Sequence, residues 1–165
     1  MSRARIATGS TEGCYFLTFT VSRWYYLFDR HDRWPLLARA LEFERARKAI
    51  TLYGFVFMLN HLHLIVGAAD TAGFVRNFKR QTAKDLKRNL RETEPTVLDL
   101  FRTEDGYVFW KPDNAPKRIE SEAFFLQKLT YIHDNPVRKT YVSRPEHWRW
   151  SSACPDCPLQ PDPFW

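Results

Sequence analysis

Residues 52–68 read LYGFVFMLNHLHLIVGA and form two apolar runs, separated only by Leu59 and Asn60. Short runs rich in aromatic and β-branched residues are typical of strands. Asn tolerates the backbone of a tight turn, so the pattern predicts a β-hairpin with strands over 52–58 and 61–68. This hairpin decides how the rest of the chain can be arranged.

Two histidines, His61 and His63, interrupt the second apolar run. Because side chains alternate between the faces of a strand, both imidazoles are expected on one face of the sheet. Two neutral imidazoles on one face can hold a divalent cation. An isolated pair of this kind is more often two hydrogen-bonded histidines on a sheet surface, so the motif alone is weak evidence for a metal site.

The remaining sequence alternates between strand and helix patterns. The expected elements are strands over 14–22 and 107–110, helices over 34–50, 71–91 and 121–134, and a loop over 112–117. Asn135-Pro136 is expected to end the last helix. The predicted class is α+β, in the order β-α-β-β-α-β-α, with helices on one side of an antiparallel sheet. This order is compatible with a ferredoxin-like, split βαβ arrangement.

The length of 165 residues fits a single domain over 1–165. Residues 1–12 resemble a loose leader, and the proline-rich tail over 137–165 is expected to wrap over the surface. No apolar run reaches the length of a membrane span and no signal peptide is recognised, so a cytoplasmic protein is expected. The odd number of cysteines, 3, indicates reduced thiols rather than a disulfide framework, and Cys154 and Cys157 are expected to bind no zinc.

Positive charge is concentrated in one predicted helix. The chain carries a net charge of +6 and a pI near 9.4, and the segment 71–91 alone has an excess of basic residues. One narrow stripe of this helix contains Arg76, Arg80, Lys84, Lys87 and Arg91. A stripe of this kind can contact nucleic-acid phosphates, although a solvated surface is the alternative.

Tyr131 and Asn135 lie four residues apart, so they share one face of the predicted helix. A tyrosine can attack a phosphodiester when a metal ion polarises the phosphate oxygens. The Asn135 amide can supply a neutral oxygen ligand to such an ion. The alternative is a tyrosine at the edge of the core and an asparagine that terminates the helix.

The combined motifs resemble a known family, the single-tyrosine transposases with a His-hydrophobic-His (HUH) motif, in their REP-associated branch. The matching segments are 53–66, 78–88 (FKRQTAKDLKR), Phe109-Trp110, 131–138 (YIHDNPVR) and 148–152 (WRWSS). Together they cover most of residues 14–153. Leu59 departs from the pattern, because the family usually has proline there, and this affects the turn rather than a ligand.

The resemblance implies an HUH endonuclease fold and a role for each matching residue. His61, His63 and Asn135 match the ligands of a Mg²⁺ or Mn²⁺ ion, and Tyr131 matches the nucleophile that forms a 5′-phosphotyrosine. The implied function is a DNA transposase that cleaves and rejoins single-stranded or hairpin DNA. The implied state is a monomer or a homodimer, with no membrane partner.

Further DNA contacts are expected from the basic helix and from Arg23, Trp24, Tyr25, Lys117 and Arg118, through stacking or groove contacts. Trp148 and Trp150 are expected to anchor the tail by packing. Two other functions fit the same residues. One is a protein that binds folded single strands without cutting them, and the other is a metal nuclease that uses water and leaves no protein attached to DNA.

Overall fold

Strands and helices alternate along the described part of the chain, residues 12–164 of a computed structural model, and the expected leader lies outside it except for Glu12. The elements are β1 (Gly13–Thr20), α1 (Arg33–Ala46), β2 (Thr51–Phe57), β3 (His61–Ala68), α2 (Thr71–Thr93), α3 (Pro95–Asp99), β4 (Arg102–Thr103), β5 (Gly106–Tyr107), β6 (Lys117–Arg118) and α4 (Glu122–Arg138). Short 3₁₀ turns cover Ser22–Trp24 and Pro145–His147. Strands β2, β3, β1 and β6 form one antiparallel sheet in that order, and β4 pairs with β5 separately. The α+β class is confirmed.

The predicted hairpin is present as β2 and β3. The Met58 amide donates to the His61 carbonyl at 2.8 Å and closes the turn. The register shifts between Leu52 and Gly54, which marks a bulge in β2. In the strand order of the sheet, β3 occupies an inner position, between β2 and β1.

Helices cover both faces of the sheet, whereas the sequence pattern predicted one covered side. On the first face, Leu62 and Leu64 of β3 belong to the buried core that includes Leu37 of α1 and Phe78 of α2. On the second face, Ile65 packs in a smaller cluster with Phe125 and Ile132 of α4. The first face is already covered by α1 and α2. Helix α4, which follows the last strand in the chain, therefore buries its apolar side chains on the second face.

Side-chain caps fix the starts of the two long helices α2 and α4. The Asp70 carboxylate accepts from the Gly73 amide at 2.9 Å, and the Ser121 hydroxyl accepts from the Phe124 amide at 3.1 Å. Helix α1 ends at Ala46, earlier than the predicted Ile50. Lys48 adopts a left-handed backbone with φ +62°, which stops the helix before β2 begins.

Helix α4 does not end at Asp134 as predicted but continues through Asn135 and Pro136 to Arg138. Proline removes one helical N–H, but both Asn135 and Pro136 are buried. The Asn135 carbonyl accepts from the Lys139 amide at 3.1 Å, so the final turn keeps its hydrogen bonding. Tertiary packing here outweighs the intrinsic cost of proline.

The strand predicted around 107–110 is also different in the structure. Only Gly106–Tyr107 is strand there, paired with Arg102–Thr103 outside the main sheet. The fourth strand of the main sheet is instead Lys117–Arg118, which lies beside Tyr15 and Phe16 of β1 at the edge of the sheet. The predicted loop over 112–117 therefore ends in a strand.

The tail hydrogen-bonds to the outer edge of β2 rather than simply covering the surface. The Phe57 amide donates to the Trp150 carbonyl at 2.8 Å, and the Ser152 amide donates to the Phe55 carbonyl at 2.9 Å. Trp150 stacks on Phe57 and is buried, as expected of a packing anchor. These contacts satisfy a strand edge that would otherwise be open to other chains.

Cys154 and Cys157 are buried, unpaired thiols in this tail. Within residues 12–164, no helix is long and apolar enough to cross a membrane.

Candidate active site

The face of the sheet that carries α4 has an open cleft of about 600 Å³ at one end. Helix α4 covers only part of this face, and the cleft lies where β3 begins. The four residues predicted for chemistry all line this cleft: His61, His63, Tyr131 and Asn135. They come from one chain and from two elements, β3 and α4.

The two imidazoles lie side by side, as the alternation of β3 predicts. Their ring centroids are 4.9 Å apart, and their planes are inclined by 74°. The Tyr131 ring lies 5.4 Å from the His63 ring. The phenol and the imidazoles, which are about seventy residues apart in the chain, therefore converge at one place.

The protonated nitrogen of His61 is fixed by Asn60. The Asn60 amide nitrogen donates to the Trp24 carbonyl at 3.0 Å, which orients the amide oxygen toward His61. That oxygen lies 2.7 Å from His61 Nδ1 and accepts its proton. The lone pair of His61 is consequently on Nε2, where it can bind a cation.

His63 has a comparable partner on the neighbouring strand. Its Nδ1 lies 2.9 Å from the Thr18 hydroxyl, and Thr18 is the residue opposite His63 in the pairing of β1 with β3. Phe16, on the same face of β1, stacks on the His63 ring at 5.3 Å. When the Thr18 hydroxyl accepts the proton of Nδ1, the lone pair of His63 lies on Nε2, where it can also bind a cation.

Both imidazoles are neutral near pH 7. Burial, and secondarily the charge of Lys139, lowers the pKa of His61 to about 4. Burial also lowers the pKa of His63 well below its usual range, with smaller contributions from His61 and from nearby Arg138 and Lys128. Neutral imidazoles are the form that binds metal ions.

The Asn135 side chain supplies a buried oxygen without a partner. Its Oδ1 atom has no hydrogen bond to any group in the described residues, and the residue is only 5% exposed. An unsatisfied buried polar atom is costly unless a ligand or ion completes it. Two imidazole nitrogens and one amide oxygen therefore line one cleft and are donors that could hold a divalent cation. Residues 12–164 contain no group of three or more His, Cys, Asp or Glu residues that could hold a metal ion.

Tyr131 lies at the open side of this donor set, and its side chain is 40% exposed. Two cations contact its ring: the Arg138 guanidinium carbon is 4.3 Å and the Lys128 nitrogen is 5.3 Å from the ring centroid. Arg138 also donates to the Tyr131 carbonyl at 3.0 Å. The phenol is therefore accessible from the cleft and lies in a positively charged environment.

The residues predicted to contact DNA are not all brought to this cleft. Lys117 lines it, whereas Arg23 does not, and the Arg23 guanidinium instead donates to the Leu100 carbonyl at 3.2 Å. Arg118 lies at the sheet edge, where it pairs with Glu120 and contacts the Tyr15 ring.

The basic stripe of α2 lies away from the cleft. Its residues Arg76, Arg80, Lys84 and Arg91 are exposed, and Lys87 lies over the Tyr107 ring. Because α2 packs on the first face of the sheet, the sheet separates this stripe from the histidines and Tyr131. The stripe and the cleft are two distinct positive surfaces.

Several residues of the site were not predicted from the sequence. Lys139 lies beyond the predicted end of α4, and an extended helical periodicity through Tyr131 and Asn135 would have included it. Thr18 and Asn60 hold the two imidazoles, but only the register of β1 on β3 and the hairpin turn reveal them.

A known structure shares the fold of this chain, whereas the comparisons of sequence find no match. No protein-family profile and no curated protein matches it. The structure of a REP-associated tyrosine transposase bound to a REP hairpin aligns with a TM-score of 0.67 and 19% identity, over 92% of this chain and 82% of that one. A crystal structure of a protein of Deinococcus radiodurans R1, assigned as a transposase, aligns with a TM-score of 0.48 and 17% identity, over 81% of this chain and 97% of that one. The first likeness shows that the chain has the fold of the REP-associated tyrosine transposase, as its motifs predicted.

Proposed function

We propose that this chain is a metal-dependent, single-tyrosine DNA transposase that cuts and rejoins single-stranded or hairpin DNA. The observation that carries the proposal is the convergence of His61, His63, Tyr131 and Asn135 on one cleft. The fold shared with a REP-associated tyrosine transposase, which was solved bound to a REP hairpin, supports the same conclusion. All four groups belong to one chain, so a single subunit is proposed to supply a complete site.

The reaction transfers a phosphoryl group from DNA to Tyr131. The phenol oxygen forms a bond to phosphorus, and the bond from phosphorus to the 3′-oxygen breaks. The phenol proton passes to water or a nearby base, and the leaving oxygen is protonated to a 3′-hydroxyl. Because the phosphotyrosine is still a diester, a 3′-hydroxyl can reverse the step without an external energy source.

A Mg²⁺ or Mn²⁺ ion held by His61, His63 and Asn135 would neutralise negative charge on the non-bridging oxygens of the scissile phosphate. The chain's own contribution is to orient these donors. Asn60 and Thr18 direct the imidazole nitrogens, and the buried Asn135 amide fixes the third position. Such preorganised donors need no rearrangement during the reaction.

Arg138 and Lys128 are proposed to stabilise the charge that develops on Tyr131 as it loses its proton. Both cations contact the ring of the nucleophile in the structure. Lys128 and Lys139 also line the cleft with Lys117, so a phosphate backbone entering the cleft meets positive charge. The cleft is therefore proposed to bind the single-stranded part of the DNA.

A covalent-adduct assay tests this function. The probe is a set of stem–loop oligonucleotides with randomised single-stranded flanks, incubated with the protein and Mn²⁺ and resolved on a denaturing gel. We expect a protein–DNA adduct from the wild type and none from Tyr131→Phe. Tyr141→Phe is the matched control, because Tyr141 is similarly exposed, at 41% against 40%, but does not line the cleft.

The two other functions predict different outcomes of this assay. A metal nuclease that uses water would give cut DNA without attached protein, and Tyr131→Phe would stay active. A protein that only binds hairpins would shift the probe on a native gel and give neither cut product nor adduct. Either result would contradict the proposed transposase chemistry.

A further inference from the structure

Trp24 is the most exposed large hydrophobic residue in the described part of the chain, with 64% of its surface accessible. Burial of an indole is favourable, so an exposed ring offers a large apolar face that a ligand can cover. The ring lines the same cleft as His61 and Tyr131. Trp24 therefore presents a flat aromatic surface beside the residues of the proposed chemistry.

The backbone around Trp24 is held in a conformation that such residues rarely adopt. Arg23 and Trp24 have φ angles of +65° and +53°, consecutive values in the left-handed region. Hydrogen bonds maintain this turn: the Trp24 amide donates to the Val21 carbonyl at 3.0 Å, and the Arg23 guanidinium donates to the Leu100 carbonyl at 3.2 Å. Strained backbone that is held by several contacts is frequent at ligand-binding sites.

Two hydrogen bonds connect Trp24 to the candidate metal ligand His61. Asn60 donates from its amide nitrogen to the Trp24 carbonyl and accepts from His61 Nδ1 with its amide oxygen. The backbone of Trp24, from which the indole projects, is thus tied to the imidazole of His61. A base that rests on Trp24 would be held at a fixed distance from the phosphate bound at the histidines.

We infer that Trp24 is a stacking platform for one unpaired nucleobase of the DNA strand that enters the cleft, an inference that rests on the proposed function. The Lys111 ammonium lies 2.8 Å from the ring centroid, so it covers one side of the indole. The base stacks on the remaining exposed surface. Because every base has a π face, this subsite selects for an unpaired nucleotide rather than for a particular sequence.

A comparison of two single strands tests this inference without knowledge of the natural target. One probe is a fluorescent oligothymidylate of twenty nucleotides, and the other is a strand of the same length made of abasic residues. The two carry the same phosphates, so their difference in Kd measures base stacking. We expect the wild type to bind the thymidylate roughly ten- to a hundredfold more tightly.

Substitutions then assign the preference to Trp24. Trp24→Ala should lose most of the preference for the thymidylate while keeping its affinity for the abasic strand, and Trp24→Phe should retain part of the preference. Phe43→Ala is the matched control, since Phe43 is 58% exposed on α1 and does not line the cleft. A circular-dichroism melt of each variant checks that it is folded.

The outcomes separate this inference from the proposed transposase chemistry. If Trp24→Ala keeps the full preference for the thymidylate, or weakens the binding of both probes equally, Trp24 is not a stacking platform. This conclusion holds even if covalent adducts form. If the preference depends on Trp24 but no adduct forms on any stem–loop, the stacking subsite stands and the transposase chemistry fails. A wild type that shows no preference for the thymidylate overturns the inference directly.

Discussion

The two faces of the central sheet have opposite characters, although they are built from the same strands. On the first face, Leu62 and Leu64 of β3 are fully buried beneath α1 and α2. On the second face, His61 and His63 of the same strand line a cleft that α4 only partly covers. One strand therefore supplies both the core and the site, through the alternation of its side chains.

This difference indicates that the first face mainly stabilises the fold, whereas the second face carries the proposed chemistry. The first face contributes hydrophobic burial, while the second face carries polar groups whose burial is costly unless they bind a ligand. Substitutions of adjacent residues of β3 should consequently have opposite effects on folding and on activity. The predictions below test this division.

The largest expected effect is on cleavage, from His61→Ala. Loss of one donor weakens the bound cation, and charge neutralisation by a metal is worth several kcal/mol, so the rate of adduct formation should fall by roughly a thousandfold. The free energy of unfolding, measured in urea without metal, should change by about 1 kcal/mol or less. A variant that cleaves normally would show that His61 holds no essential ion.

The same variant also tests whether one chain supplies the whole site. Mixing His61→Ala with Tyr131→Phe should restore no adduct if each site is built within one subunit. Recovery of activity in the mixture would indicate a dimer in which the two chains share their sites.

The next effect in size is on stability, from Leu62→Ala. This substitution leaves a cavity beneath α1 and α2 and should lower the free energy of unfolding by about 2–5 kcal/mol. Because Leu62 points away from the cleft, the folded fraction should keep its ability to form adducts. Urea denaturation and the adduct assay, run on the same sample, measure both quantities. A loss of cleavage with unchanged stability would contradict the division between the two faces.

A smaller effect is expected in the pH dependence of folding without metal. The pKa of His61 is about 4 in the folded chain and near 6.5 when it is unfolded, so between these values the unfolded state binds more protons. The free energy of unfolding should therefore fall as the pH is lowered from 6.5 to 4, by up to about 1.4 kcal/mol per unit from this residue. Urea denaturation at pH 7.5, 6 and 5 measures the slope. His61→Gln, which does not titrate, should show a shallower slope, and equal slopes would mean that burial does not perturb this imidazole.

The smallest effect is expected from the basic stripe of α2, which lies on the opposite face from the cleft. Arg80→Ala combined with Lys84→Ala should reduce the slope of log K against log salt by about 2 for a stem–loop whose duplex extends beyond the cleft. Binding of a short single strand should be unchanged. Arg39→Ala combined with Arg144→Ala removes the same charge elsewhere and serves as the control. Equal decreases of this salt slope in the two double variants would show that α2 acts only through net charge.

The sequence was sufficient for those features that depend on local periodicity. The alternation in β3 predicted that His61 and His63 share a face, and the spacing of Tyr131 and Asn135 predicted a common helix face. The structure brings these residues together. Their chemical roles stay predictions, because the fold similarity does not test them.

Features that depend on long-range contacts were not predictable in the same way. Two-residue strand β6 has no periodicity of its own and is defined only by its pairing with β1. Helix α4 continues through Pro136, which is buried, and the local sequence does not reveal this burial. The separation of the α2 stripe from the cleft likewise follows from which face of the sheet each helix covers.

The most direct test of the shared ion is pulsed EPR of Mn²⁺ bound to protein labelled with ¹⁵N-histidine. The wild type should show hyperfine coupling to two imidazole nitrogens, reduced to one in His61→Ala and in His63→Ala and unchanged in Tyr131→Phe. Asn135→Ala should keep both couplings but require more Mn²⁺ to reach saturation. Mn²⁺ that binds without coupling to histidine nitrogen, or that binds equally well after both histidines are replaced, would contradict the account.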